Sequence, residues 1–231
     1  MVDSAFSLSP AFPQSRGSMN LSISWKGHQW DLSPEKAVYW PQYKAWLVAD
    51  LHLGKTEHFR KAGIPLPKGS CAHTLERLDR LIQSKETQEL IVLGDLFHST
   101  YNTVWEEFAD WRKRYPSIQV HLVEGNHDIL DDAAYQRAEL ILHEDRWNID
   151  GVELAHDPAD ASEGVPTIAG HLHPGFKLKG KGRQRLRLPC FWFQDDCCVL
   201  PAAGFFTGLS EIRRNKGDRV FVSTKQSVIE V

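Results

Sequence analysis

Five short apolar runs in this chain each lead into a polar cluster made of Asp, His and Asn. Ala45-Trp46-Leu47-Val48-Ala49 runs into Asp50-Leu51-His52, and Leu90-Ile91-Val92-Leu93 into Gly94-Asp95-Leu96-Phe97-His98. Val120-His121-Leu122-Val123 precedes Gly125-Asn126-His127-Asp128, Val152-Glu153-Leu154-Ala155 precedes His156, and Pro166-Thr167-Ile168-Ala169 precedes Gly170-His171-Leu172-His173. Apolar runs of this length, bounded by turn formers, read as strands buried on both faces. Strand ends gathered on one edge of a sheet then place all five clusters together, which makes a site.

The rest of the pattern fits an α/β fold. With 231 residues and 42% hydrophobic content the chain can bury one full core. We expect a flexible extension over 1–18, rich in Ser and Pro, and a single domain over 19–231. Strands are expected at 21–25, 29–32 and 37–40 as a β-meander, with turns at Lys26-Gly27 and Ser33-Pro34. Leu75, Leu78, Leu81 and Ile82 recur at helical spacing within 71–84, and Val104, Phe108 and Trp111 within 103–114. A short helix near 131–138 and strands at 140–143 and 147–149 follow. Trp25, Trp30, Trp40, Trp46, Trp105 and Trp111 sit in these patterns and read as core.

Several function classes are disfavoured. No apolar stretch approaches the roughly 18 residues needed to cross a bilayer, and residues 1–18 have no signal-like apolar core, so we expect a cytoplasmic protein without a membrane partner. Cys71, Cys190, Cys197 and Cys198 show no metal-finger spacing and read as reduced, mostly buried thiols. The formal net charge of −3 supplies no global attraction to nucleic acid, so any polyanion must be met by local clustering of Lys and Arg.

A ligand set of carboxylate, imidazole and amide without sulfur suits Mn, Fe or Zn better than Ca. The clusters, read in order as D-x-H, G-D-x-x-H, G-N-H-D, a single His and G-H-x-H, resemble the calcineurin-like metallophosphoesterase superfamily. That resemblance implies a four-layer α/β/β/α sandwich of two packed mixed sheets with flanking helices. It also implies two divalent metal ions, most simply Mn, with Fe or Zn as alternatives. Asp50, His52, Asp95 and His173 would hold the first ion, and Asp95, Asn126, His156 and His171 the second, with Asp95 bridging. The implied chemistry is phosphodiester hydrolysis, in which a hydroxide held between the ions attacks phosphorus in line and His127 serves as general acid.

Where many phosphatases of the superfamily carry Asp three residues after the bridging aspartate, this chain has His98. A neutral imidazole cannot stabilise a neighbouring imidazolium as a carboxylate does, so Asp128 is the remaining candidate to orient His127. The Gly-Asp-Leu-Phe-His form is similar to that of double-strand-break repair nucleases. A closer resemblance, to bacterial ligase-associated DNA damage response endonucleases, rests on residues 48–55, 59–67, 188–192 and 200–208. It implies a Mn-dependent DNA endonuclease, acting on single-stranded or damaged DNA in repair, with a DNA ligase and a helicase as functional partners.

Lys177, Lys179, Lys181, Arg183, Arg185 and Arg187 alternate with uncharged residues around Gly180-Lys181-Gly182, as in a hairpin with one cationic face. This face is a candidate phosphate-backbone surface, and Lys55, His58 and Arg60 beside the first ligand cluster are further candidates. Phe205 and Phe206, between Gly204 and Gly208, are aromatic candidates for substrate contact. Two other functions use the same residues: a small-molecule phosphomonoesterase or nucleotide phosphodiesterase, and a non-catalytic interaction scaffold on the same fold.

Overall fold

The computed structural model describes residues 20–61, 63–65, 69–98, 103–180 and 184–231. The expected flexible extension, together with Lys181 and Arg183, lies outside the described residues.

The meander forms as the alternation of apolar and polar residues requires. Strands β1 (Leu21–Trp25), β2 (His28–Ser33), β3 (Ala37–Trp40) and β4 (Ala45–Ala49) pair antiparallel in sequence order. Lys26 and Gly27 both take left-handed φ values, 49° and 82°, as a two-residue turn matching strand twist demands. From β4 onward the connections become crossovers. Helices α1 (Lys55–Lys61) and α2 (Ser70–Ser84) lead to β5 (Glu89–Leu93), α3 (Thr103–Arg112) to β6 (Gln119–Val123), and α4 (Asp132–Arg137) to β7 (Leu140–His143). Strands β4 to β7 are parallel, which completes a seven-stranded mixed sheet.

Helix α2 buries Leu75, Leu78, Leu81 and Ile82, and α3 buries Val104, Phe108 and Trp111, in one cluster with Trp46, Val48, Leu90 and Val92 of the sheet. Asp131 caps α4 by accepting from the Ala134 amide at 2.7 Å, as an N-cap carboxylate does. Helix α1 was not foreseen: its sequence, Lys-Thr-Glu-His-Phe-Arg-Lys, has no apolar stripe, and Thr56 is the one fully buried side chain described in it.

The second sheet contains β8 (Arg146–Ile149), β9 (Val152–Ala155), β10 (Thr167–Ala169), β11 (Pro174–Lys179), β12 (Arg185–Phe193), β13 (Cys197–Val199) and β14 (Ser210–Glu211). Strands β15 (Arg219–Ser223) and β16 (Val228–Glu230) extend it from β12. β9, β10 and β13 are mutually parallel, whereas β11, β12 and β15 pair antiparallel. Between the sheets lies a second apolar cluster, in which Trp30, Trp40, Leu47, Ile91, Leu154, Ile168 and Phe191 are fully or almost fully buried.

Two packed mixed sheets are therefore present, as expected. The α-helices α2 and α3 pack on the first sheet, so the fold is α/β as expected. Among the described residues every α-helix lies between β4 and β7. The outer face of the second sheet is covered by a smaller cluster of Cys190, Val220 and Val222 with Phe176, Leu178, Leu188 and Trp192 packed on it. The tryptophans read as core are buried or packed against it, and the four cysteines are free thiols.

Candidate metal centre

Register decides which residues meet. Ala49, Leu93 and Val123 are neighbours across β4, β5 and β6, so Asp50, Gly94 and Glu124 leave the sheet at one level of its C-terminal edge. Leu154 pairs with Ile168 across β9 and β10, which brings His156 and Gly170 to the same edge of the second sheet. Ligands collect at the carboxyl ends of parallel strands, as open α/β sheets arrange.

The loops beyond these strand ends are zipped together. Asp50 N donates to Gly94 O at 3.2 Å, His52 N to Asp95 O at 2.8 Å, Leu53 N to Leu96 O at 2.9 Å and His98 N to Leu53 O at 2.9 Å. Asp95 Oδ1 accepts from the His127 amide at 3.0 Å, and Asp50 Oδ2 from the His171 amide at 2.9 Å. Glycines precede the ligands because nothing larger fits. A Cβ on Gly94 would lie 2.1 Å from His156 Nδ1, one on Gly125 2.7 Å from Asp95 Oδ1, and one on Gly170 2.8 Å from Asp50 Oδ2.

Asp50, His52, Asp95, His171 and His173 all hold φ between 45° and 66°, in the left-handed region. That conformation costs a non-glycine residue about 1–2 kcal/mol, and such residues concentrate at functional sites. Here it turns successive side chains of an extended segment toward one point.

The spacing of the donor atoms tests whether a cation fits. Ligands about 2.1 Å from an ion, at angles between square and tetrahedral, stand about 3.0–3.4 Å apart. His52 Nε2 lies 3.2 Å from His173 Nε2 and 3.6 Å from Asp95 Oδ2, and His173 Nε2 lies 3.4 Å from Asp50 Oδ1. Around the second group, His156 Nε2 lies 3.0 Å from both Asn126 Oδ1 and His171 Nδ1, and 3.5 Å from Asp95 Oδ1. Asp50, His52 and His173 offer ligand atoms all within 4.8 Å of one another, as do Asp50, Asp95 and His156. The seven residues singled out from sequence thus converge as two adjoining groups that fit two divalent ions. Asp95 stands between them.

Electrostatics favour the same occupancy. Burial, with Lys55 and His173 beside it, pushes the His52 imidazole down to about 2, so it stays neutral with a lone pair to give. Burial, with Lys55 second, also pushes His98 down to about 4. The His98 ring lies 5.0 Å from that of His127, inclined by 32°, and 5.5 Å from those of His52 and His58. Its Nδ1 is buried without a hydrogen-bond partner among the described residues. Two imidazoles consequently stand side by side in front of the ligand groups.

Asp128 departs from expectation. Its Oδ1 accepts from the Leu96 and Phe97 amides at 2.9 and 3.3 Å, and its Oδ2 from the Gly125 amide at 3.0 Å. Both oxygens hold loop backbone, leaving the carboxylate a staple between the second and third ligand loops rather than a partner of His127. Burial pushes its carboxyl up to about 7, against the lowering effect of those amides.

The cationic candidates lie on two elements, α1 and the β11–β12 hairpin. Lys55, His58 and Arg60 lie on α1, with Lys55 half-buried next to His52 and the other two exposed. In the hairpin, Lys177 pairs with Arg187 and Lys179 with Arg185 across β11 and β12. The face is less cationic than the sequence suggests. Glu211 of β14 lies 3.3 Å from Lys177 and 2.8 Å from Arg187, so an acid from outside the segment neutralises part of it. Lys179 and Arg185 stay exposed. Glu124, Glu144, Asp145, Asp157 and Asp160 line an open acidic basin of about 520 Å³ next to Asn126, His156 and His171.

Two contributors were not foreseen. Asp157 approaches His171 Nε2 at 3.5 Å, a role its position beside His156 does not announce. Ala203 N donates to Ala49 O at 2.8 Å and Gly204 N to Asp50 O at 3.1 Å, so the loop after β13 braces the first ligand.

A calcineurin-like phosphoesterase family model matches residues 43–222. The solved nuclease MPE of Pseudomonas putida is 33% identical, covers 92% of this chain and 100% of its own, and superposes with a TM-score of 0.80. A protein of unknown function from Aquifex aeolicus is 21% identical over 60% of this chain and 82% of its own, at a TM-score of 0.39, too distant to bear on the argument. No curated protein matches. With a family match over most of the sequence, a relative of this likeness, and ligands for two ions at the strand ends, the chain belongs to the calcineurin-like phosphoesterase family and is a metal-dependent phosphoester hydrolase.

Proposed function

We propose that the protein is a Mn-dependent phosphodiesterase that cleaves DNA endonucleolytically, with single-stranded or damaged strands as substrate. The observation that carries this reading is the likeness to the Pseudomonas putida nuclease over 92% of the chain. Asp50, His52, Asp95 and His173 would hold one ion, and Asp95, Asn126, His156 and His171 the other. Two divalent ions held by these residues would neutralise a bound phosphate and lower the pKa of a bound water.

The remaining work belongs to the chain itself. His127, whose amide donates to Asp95 Oδ1, would give a proton to the departing oxygen. His98, neutral beside it, donates to a phosphate oxygen and does not compete for the proton. Asp128 fixes the loops that carry both. Lys55, His58, Arg60, Lys177, Lys179, Arg183, Arg185 and Arg187 would meet the flanking phosphates.

A cytoplasmic setting and functional association with a DNA ligase and a helicase in repair complete the reading. The association with a ligase and a helicase rests on the sequence resemblance. Among the described residues no helix is long and apolar enough to cross a membrane.

The test is cleavage of labelled single-stranded, duplex and branched DNA beside a small aryl phosphodiester, over a panel of metals. Mn-stimulated DNA cleavage that disappears in Asp95→Ala supports the reading. Hydrolysis of the small diester with no DNA cleavage assigns a small-molecule enzyme instead, and no hydrolysis with any metal leaves the scaffold.

A further inference from the structure

Phe205 and Phe206 are 47% and 37% exposed, the two aromatic side chains among the large apolar residues that the described structure leaves open to water. They are ordered against each other edge to face, with centroids 5.3 Å apart and planes at 71°. His73 of α2 stacks beneath Phe205 at 4.9 Å and 27°.

Their loop has a fixed stem. Besides the bonds from Ala203 and Gly204 to the β4 end, Lys36 Nζ donates to Ala202 O at 3.0 Å, and Arg77 donates to Ala203 O. Gly204 admits no side chain, since a Cβ there would lie 2.6 Å from Leu51 O. The ring pair is therefore tied to Asp50 through a single residue and a backbone hydrogen bond. Together with His52, Lys55, Thr56 and Ser70 the rings line one crevice, which runs up to a metal-ligand candidate. At the loop's far end Leu209 O accepts from Arg187 at 3.3 Å, beside the cationic strands.

Rigid exposed rings between a phosphate-binding centre and a cationic strand match one ligand chemistry: a nucleobase whose own phosphate lies at the centre. We propose that Phe205 and Phe206 form a stacking platform for an unpaired base, making the site selective for single strands. This rests on the DNA-cleaving reading above. Bases in a duplex are already stacked on their neighbours and cannot lie on the rings without being unpaired. Every base has a π face, so the platform holds a strand without reading its sequence.

The experiment uses the full chain as wild type, Phe205→Ala/Phe206→Ala and Phe205→Leu/Phe206→Leu. Anisotropy is read with fluorescein-labelled oligo-dT and with a fully abasic strand carrying the same number of phosphates, with chelator present to stop cleavage. Stacking of one base is worth about 5- to 100-fold in affinity, so wild type should prefer oligo-dT by that factor. The alanine pair should lose the preference, and the leucine pair should lose part of it while keeping apolar bulk. On the Mn-loaded protein, the kcat/KM ratio of oligo-dT over hairpin duplex should fall in parallel.

An unchanged preference for oligo-dT overturns the proposal. So does a monomer–dimer shift by sedimentation with the preference intact, which would assign the rings to a second copy of the chain. Equal, weak binding of both strands by wild type, with hydrolysis of a small diester retained, instead brings down the DNA-cleaving reading itself.

Discussion

Replacing Gly94 by Ala perturbs the centre without touching a ligand. Gly94 has φ +69°, a conformation that costs an L-residue about 1–2 kcal/mol. The added methyl would stand 2.1 Å from His156 Nδ1, 2.4 Å from its Cγ and 2.8 Å from its Cβ, so a rotation of the ring alone cannot clear it. His156 is 4% exposed and has its Nδ1 3.2 Å from Leu93 O and its Nε2 against Asn126 and His171. Overpacking at such a position costs about 1–3 kcal/mol more. The sum is about 2–5 kcal/mol, which for a domain of this size lowers Tm by roughly 5–20 °C. Gly151→Ala is the control, because Gly151 has φ +78° and nothing within 4 Å of a new Cβ. It should bear the backbone cost alone, roughly 2–8 °C. Thermal unfolding of the metal-free proteins and calorimetric titration with Mn measure both effects. Gly94→Ala should be the less stable of the two and should bind fewer ions, whereas Gly151→Ala should bind as wild type. Equal Tm losses with equal metal binding would refute the argument that Gly94 is required by the packing of His156.

Three further outcomes follow from the same contacts. Asp128→Ala should destabilise the fold by about 2–5 kcal/mol in urea unfolding, because the Leu96, Phe97 and Gly125 amides lose their acceptor inside the protein; a loss of activity with stability intact would point instead to a direct role in the reaction. His121 is buried against His143 and Trp147, and burial pushes it down to about 4 from an ordinary value near 6.5. Below pH 6.5 the unfolded chain therefore binds more protons than the folded one, and stability should fall by about 3 kcal/mol between pH 6.5 and 4. His121→Phe should flatten that part of a urea-derived stability profile, and an unaltered slope would exclude the residue as its source. Glu211→Gln should release Lys177 and Arg187, strengthening single-strand binding at low salt and steepening the log–log salt dependence by roughly 1, against no change if the hairpin does not meet phosphates.

Much of this architecture can be read from residue order. The five apolar runs became β4, β5, β6, β9 and β10, since strands buried on both faces need no alternation to identify them. The seven ligand candidates were legible because residue type and strand-end position coincide at each. What escaped has physical causes. Helix α1 lacks an apolar face and forms where the chain leaves the first ligand loop, so periodicity is silent there. Asp128 is adjacent to His127 in sequence, yet the turn at Gly125 directs its carboxylate onto backbone amides. Glu211 meets the hairpin through β14, and that pairing brings together residues 34 positions apart, beyond the reach of any local pattern. The brace from Gly204 to Asp50 is a backbone contact between the sheets' edges, which side-chain identity does not encode.

The proposed hydrolysis depends on a paired cation centre shared through Asp95. Metal analysis of the reconstituted protein, with anomalous scattering from Mn-loaded crystals, tests this most directly. Two ions per chain should be found, one among Asp50, His52 and His173 and one among Asn126, His156 and His171, each also bound by Asp95, and Asp95→Asn should lose at least one. A single ion, or ions placed away from Asp95, would contradict it.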